Sequence, residues 1–319
     1  MAYTAGDQIL DDEYIAFASS SSAPFGYNHF AGTGSGVYGL GQTALGLVNA
    51  GDTITAAQWN SLFTAIDNIA NHTNDTLTST SAVTAGDTIA VRAALVADLA
   101  TLAASVAAGS PNATALTASS ALQTVTTASE GWDLTATQEV SITWASANAM
   151  RFYFNQGGKV RITVGTTQGS INAKDQAFID LGTALGNIDI GAQATTRSGS
   201  GETLTTNGLA NGFHDLTTSY TTLITLTSDN ANYTSNSVRI RAKLDAAVGT
   251  AVTMTIEMVA TDSAADTQFS ASNPSGVPVA VKDTPRMVTT LFAIRPTTAE
   301  GLGTVYNEAS TATVSNTTV

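Results

Sequence analysis

Near residue 130 the spacing of the apolar residues changes from three-or-four to two, and this switch limits the fold more than any motif in the chain. After Thr55 they fall at Trp59, Leu62, Phe63, Ile66, Ile69 and Ala70, one face of a helix. After Ile89 the same period runs through Ala93, Val96, Ala97, Ala100 and Ala103, with Leu95, Leu99, Leu102 and Val106 alongside. Beyond 131, Val238, Ile240, Ala242 and Leu244 alternate with Arg239, Arg241 and Lys243. Val252, Met254, Ile256 and Met258 alternate likewise with Thr253, Thr255 and Glu257. Alternation marks a strand with one buried face. The chain therefore reads as mainly β with an N-terminal helical part.

Four segments follow. Residues 1–45, rich in Gly and Ser but punctuated by Tyr14, Phe17, Phe25, Tyr27, Phe30 and Tyr38, read as an extended attachment arm. Aromatic rings would anchor such an arm along another subunit. Residues 46–108 hold two helices of about 16–18 residues, read as a short helical hairpin. A recurring phrase precedes them: Thr-Ala-Gly-Asp-Gln-Ile at 4–9, Asn-Ala-Gly-Asp-Thr-Ile at 49–54 and Thr-Ala-Gly-Asp-Thr-Ile at 84–89. Its Gly-Asp supplies a turn, and Thr53 or Thr55 caps the first helix. Residues 109–130 read as a linker, and 131–319 as an antiparallel, jelly-roll-like β-sandwich domain. Within it, 150–155 and 159–164 around Gln156-Gly157-Gly158 have the form of a β-hairpin. Further strands are expected at 139–145, 220–227, 237–244, 251–260 and 286–295, with a short helix at 173–185. Glu257 is placed to meet one of the bases of 239–243 across an exposed strand pair.

Composition removes several functional classes. Half of the 319 residues are Ala (52), Thr (52), Ser (28) or Gly (27), so the 43 % hydrophobic content overstates the core. Zero Cys excludes a disulfide framework and thiolate chemistry. A net charge of −13 argues against nucleic acid as partner. No run reaches the ~20 apolar residues of a membrane span. Arg92 is the first basic residue, so no positively charged leader region is expected. The acids are unevenly spread: residues 1–130 hold ten against Arg92 alone, and residues 131–319 hold fifteen against eleven bases.

Little catalytic chemistry is legible. The histidines His29, His72 and His214 are scattered, and His214 beside Asp215 on a strand would point away from it. Without a His/Cys cluster zinc has no four-ligand set. Asp11-Asp12-Glu13 lacks the spacing of a calcium loop and reads as a solvated or partner-facing patch. The pairs Asp175/Asp180 and Asp262/Asp266 are candidate carboxylates for glycoside hydrolysis that nothing else marks. Gly32-x-Gly34-x-Gly36 neither follows a strand nor opens a helix, so it is not a nucleotide loop. Trp59 reads as core; Trp132 and Trp144 read as packing, with sugar binding as the alternative. No catalytic, cofactor or metal-binding residue is assigned.

Two segments, Ala50-Gly-Asp-Thr-Ile-Thr-Ala-Ala-Gln-Trp-Asn60, continuing through Leu62 to His72, and Ala147-Asn-Ala-Met-Arg-Phe-Tyr-Phe-Asn-Gln-Gly-Gly-Lys-Val-Arg-Ile162, carry a resemblance. They resemble virion structural proteins of tailed bacteriophages, chiefly tail-fibre or appendage proteins of phages of marine bacteria and cyanobacteria. Gly212–Thr217 and Tyr233–Arg241 are similar to later strands of that family's β-domain. The resemblance covers roughly 45–295. It implies a non-enzymatic structural subunit located in the virion, a tail fibre or a tail or neck appendage. It implies a homo-oligomer, with a trimer favoured, attached through the N-terminal arm to tail, neck or portal proteins. The alternative is a carbohydrate-binding module, with Trp132, Tyr220 and Tyr233 contacting host-surface glycan; a glycan-cleaving enzyme ranks below both.

Overall fold

The structure, a computed structural model, describes residues 11–22, 25–31, 38–85, 92–108, 116–127, 132, 134–167, 173–231, 233–263, 267–268, 279–280, 286–296, 302 and 308–317. The chain divides into two compact units. One comprises Met1–Thr117, Arg151–Gly158 and Arg295–Tyr306; the other comprises Ala118–Met150, Lys159–Ile294 and Asn307–Val319. The expected boundary near 130 thus falls at 117, and two later segments return to the first unit.

Among the described residues the first unit holds four whole helices, α1 (Asp11–Ser19), α2 (Tyr27–Ala31), α3 (Ala56–Thr73) and α4 (Arg92–Ala108), and the C-terminal part of a fifth. Helix α3 follows the sequence closely. Thr55 caps it, its hydroxyl accepting from the Gln58 N–H while the Gln58 side chain accepts from the Thr55 N–H. Trp59, Leu62, Phe63, Ile66, Ile69 and Ala70 are all buried. In α4 the buried stripe is Leu95, Leu99, Leu102 and Val106, whereas Ala93, Ala97 and Ala100 are exposed. Both sets have helical spacing; the larger side chains remove more surface from water, so they take the core.

The expected extended arm is not extended over its described residues. It carries α1 and α2, whose Tyr14, Phe17, Tyr27 and Phe30 are buried in the same hydrophobic cluster as α3 and α4. The Tyr14 ring meets Trp59 edge-on at 5.7 Å. These aromatics anchor the arm within its own chain rather than to another subunit. The first copy of the repeated phrase and the glycine triplet at 32–36 lie outside the described residues; the third copy does so in part.

Between the helices, side chains stand in for strand partners. Asn28 accepts from the Leu45 N–H at 2.7 Å and donates to its carbonyl at 3.0 Å. Asn60 treats Val83 the same way, at 2.8 and 2.9 Å. Asp98 of α4, 5 % exposed, accepts from the N–H groups of Thr78 and Ser79 and from both their hydroxyls.

Among the described residues the second unit holds two six-stranded antiparallel sheets, consistent with a sandwich, and one separate two-stranded ladder. Its elements, of which β1 and α5 run across the unit boundaries, are β1 (Leu116–Ala118), β2 (Gln123–Thr126), β3 (Thr135–Thr143), α5 (Ala147–Asn155), β4 (Lys159–Thr167), α6 (Ala173–Leu185), β5 (Asn187–Ile190), β6 (Thr195–Arg197) and β7 (Thr203–Asn207). They continue with β8 (Thr221–Thr227), β9 (Ser237–Leu244), β10 (Thr253–Thr261), β11 (Thr267–Gln268), β12 (Val279–Ala280), β13 (Arg286–Pro296) and β14 (Ala309–Thr317). One sheet runs β1-β13-β4-β5-β6, with β2 also on β13; the other runs β14-β3-β10-β9-β8-β7. The expected linker at 109–130 therefore contains two strands of the first sheet. A buried link joins the sheets: Gln138 of β3 donates to the Met287 carbonyl at 2.7 Å and accepts from the Thr289 hydroxyl at 2.5 Å. Helix α6, where a helix was expected, packs on β4 and also touches β8 and β9. Gly182 permits the approach, since a Cβ there would lie 3.3 Å from the Val164 carbonyl oxygen.

The expected hairpin at 150–164 is the clearest correction. Its first half is helix α5, and helices are accordingly spread through the chain rather than confined to an N-terminal part. The Ser146 hydroxyl accepts from the Ala149 N–H and starts the helix. Gly157, at φ +83°, ends it: the Gly158 N–H reaches the Tyr153 carbonyl and the Gly157 N–H the Phe154 carbonyl. That is a Schellman cap, which needs the same left-handed glycine as a tight hairpin turn. Met150, Tyr153 and Phe154 are buried and Phe152 is not, the helical rather than the alternating choice. Strand β4 pairs instead with β13 and β5.

Candidate functional site

The most developed polar constellation among the described residues lies on the outer face of the second sheet. Alternation along β9 buries Val238, Ile240, Ala242 and Leu244 and turns Arg239, Arg241 and Lys243 outward. Register places Glu257 of β10 opposite Arg241, and Glu139 of β3 opposite Glu257. Arg241 grips Glu257 with two donors, Nε and Nη2, the latter 3.0 Å from Oε2. The Tyr220 hydroxyl, just before β8, donates to Glu139 Oε2 at 2.5 Å. The Tyr220 ring lies under both cations, 4.4 Å from the Arg241 guanidinium carbon and 4.3 Å from Lys243 Nζ. Around the cluster, hydroxyls pair across strands: Ser141 with Thr255 and Thr143 with Thr253, each at 2.9 Å.

The cross-strand ion pair read from the sequence is present and is half-buried, with the Glu257 carboxylate enclosed and the Arg241 side chain partly open to solvent. Ion pairing raises the Arg241 pKa, its hydrogen bond to Glu257 contributing most. Double-mutant cycles on Arg241→Met and Glu257→Gln are expected to give a coupling of about 1–1.5 kcal/mol, above the exposed-pair range. A coupling near zero would show the two charges acting independently. The first sheet repeats the device, Arg161 of β4 gripping Asp189 of β5 at 2.6 and 2.7 Å.

The cluster is poorly suited to proton transfer. Burial, then the hydrogen bond to Glu139 and the nearby carboxylates, push the Tyr220 pKa well above the ordinary tyrosine value. Tyr220 thus stays a neutral donor, and both glutamates are already hydrogen-bonded. What the face offers is a set of braced hydroxyls with Lys243 and Arg239 at one side.

The residues singled out in the sequence are not brought together. His72 is buried in the first unit, its Nε2 3.0 Å from the Gln156 carbonyl. His214 and Asp215 lie in a one-turn 3-10 helix, not a strand, and Asp215 accepts from the Gly212 N–H at 2.9 Å. Asp11 accepts from the Gly51 N–H, and Glu13 is buried in α1. Asp175 and Asp262 are buried, Asp180 accepts from Gln176 at 2.7 Å, and Asp266 lies outside the described residues. Among the described residues no group of three or more His, Cys, Asp or Glu is placed to hold a metal ion. Trp132 is fully buried, 4.8 Å from Phe178 of α6, and Trp144 is 2 % exposed, so neither ring is open to a sugar. Among the described residues no helix is long and apolar enough to cross a membrane.

His29 carries an electrostatic consequence for folding. It is stacked on Phe25 at 4.2 Å and flanked by Tyr38 at 4.6 Å, and its buried Nε2 has no hydrogen-bond partner among the described residues. Burial lowers its pKa below the usual histidine value. Between the folded and unfolded values the unfolded chain binds the proton and the folded chain does not, so stability rises with pH there. The contribution is complete above about pH 6.5 and is lost as pH falls through the folded value. Melting temperatures of the parent from pH 7.5 to 5 should fall more than those of His29→Phe; parallel curves would contradict this.

No protein-family model matches the chain, and no curated protein or solved structure matches it.

Proposed function

We propose that this chain is a non-enzymatic structural subunit of a tailed-bacteriophage virion, a tail fibre or a tail or neck appendage protein that assembles with copies of itself. The observation that carries the reading is the outer face of the second sheet. Its carboxylates are engaged by Arg241 and Tyr220 and its hydroxyls pair across strands, a surface suited to durable contact rather than turnover. The resemblance of 50–72, 147–162, 212–217 and 233–241 to appendage proteins supports the virion setting. In this reading the second unit is a jelly-roll-like sandwich displayed on the particle. The N-terminal region meets tail, neck or portal proteins, without the aromatic anchors, which are spent inside the first unit. A host-glycan role for the second unit would rest on Tyr220 and Tyr233, since Trp132 is enclosed. Light scattering of the full chain at micromolar concentration is expected to give a multiple of the chain mass, with three copies the number the resemblance implies. A stable monomer would contradict the assembly reading.

A further inference from the structure

The second sheet ends at β14, which pairs with β3 in an unbroken register from Ala309↔Thr143 to Thr317↔Thr135. The neighbouring ladder fixes where its backbone groups point. The Trp144 N–H donates to the Val252 carbonyl, continuing the unbroken β3–β10 register. Successive residues turn their N–H and C=O to opposite sides of a strand. The even residues of β3 therefore face β10, and the odd residues 135–143 face β14. Their partners Ala309, Thr311, Thr313, Ser315 and Thr317 point into the sheet. The N–H and C=O groups of Ser310, Ala312, Val314 and Asn316 turn to the outer side, where among the described residues they have no hydrogen-bond partner, although the Ser310 hydroxyl donates to the Leu122 carbonyl at 2.9 Å and β2 lies close to the strand.

Four of the usual protections against strand addition, namely charge, proline, a bulge and brevity, are missing from this edge. Residues 309–317 contain no Lys, Arg, Asp, Glu or Pro, and the register has no break. The opposite edge, β7, is only five residues long and its register slips between Leu204 and Thr206. A nine-residue edge without a bulge is matched best by a regular, uncharged strand of equal length running the other way. The same strand of a second copy meets that description.

We propose that β14 is a self-association edge, pairing antiparallel with β14 of a second copy and fusing two six-stranded sheets into one. With the two-fold axis at Thr313, Ser310 lies opposite Asn316 of the partner subunit, and Ala312 opposite Val314 of the partner subunit. Each such pair joins outward-pointing residues. Four residues per copy, each with one N–H and one C=O, give eight inter-chain hydrogen bonds. The chain's charge of −13 opposes association, but none of it lies on the strand, and salt screens the remainder over about 10 Å. This inference rests on the assembly reading above. It differs in symmetry, because an isologous strand pair builds dimers rather than trimers.

The test is the mass of the full chain by sedimentation equilibrium, with two variants. Ala312→Pro removes an outward N–H while sparing the bonds to β3, as edge prolines do. Thr311→Lys places a charge on the exposed edge, and serves if the proline variant fails to fold. The parent is expected to be a dimer. Each variant with an unchanged circular dichroism spectrum should dimerise at least tenfold more weakly. A dimer that survives both substitutions, or a trimeric parent, would overturn the edge pairing while leaving assembly standing. A monomeric parent would overturn both.

Discussion

Replacing Asp98 by alanine is expected to destabilise the first unit by about 3–5 kcal/mol. The carboxylate is 5 % exposed and accepts from the N–H groups of Thr78 and Ser79 at 3.1 and 3.0 Å, and from the Ser79 hydroxyl at 2.5 Å. Ser79 is itself buried, so alanine leaves donors that water does not readily reach. Each orphaned buried donor costs about 1–3 kcal/mol, and bonds to a charged acceptor lie at the upper end. Asparagine keeps one acceptor oxygen and should cost less than half as much. Native-state hydrogen exchange of the α3 and α4 amides would measure the loss. A change below about 1 kcal/mol would mean that the 76–83 segment is held by other contacts.

The second large effect is expected at Gln138, where alanine should cost about 2–4 kcal/mol. Gln138 is fully buried and connects β3 of one sheet to β13 of the other through Met287 and Thr289. Its loss opens a cavity and strands the Thr289 hydroxyl, which is 1 % exposed. The Met287 carbonyl keeps a donor, the Thr127 N–H at 3.0 Å. Removing both polar partners together should therefore be less harmful than removing one. Gln138→Leu with Thr289→Val is expected to recover most of the loss of Gln138→Leu alone, measured by urea unfolding. Additive losses would show that the two side chains do not depend on each other.

The sequence was most informative where a local pattern and the tertiary environment agree. In α3 the apolar period, the Thr55–Gln58 capping box and the buried face coincide. In β9 and β10 strict alternation located the core face and set Glu257 against the bases of 239–243, and the strand register then selects Arg241. It was misleading where two periods fit one segment. Met150 to Phe154 satisfies alternation and helical spacing alike, and Gly157 serves a hairpin turn or a helix cap equally well. The decision rests on Ser146 at the helix start and on β13 and β5, distant in sequence, which occupy both sides of β4. The nine- and five-residue helices α1 and α2 are too short to announce themselves by period, and packing against α3 and α4 holds them. The Tyr220–Glu139 bond spans 81 positions, so only the strand order, not any local signal, brings the two together.

Labelling of particles is the most direct test of the virion role proposed for this chain. Gold-tagged antibodies raised against the full chain would be applied to tailed-phage particles purified from lysates that contain it, and viewed by electron microscopy. Gold is expected at the tail, its fibres or the neck, with the chain co-purifying with intact particles. Unlabelled particles, with the chain left wholly in the soluble fraction of the lysate, would contradict it.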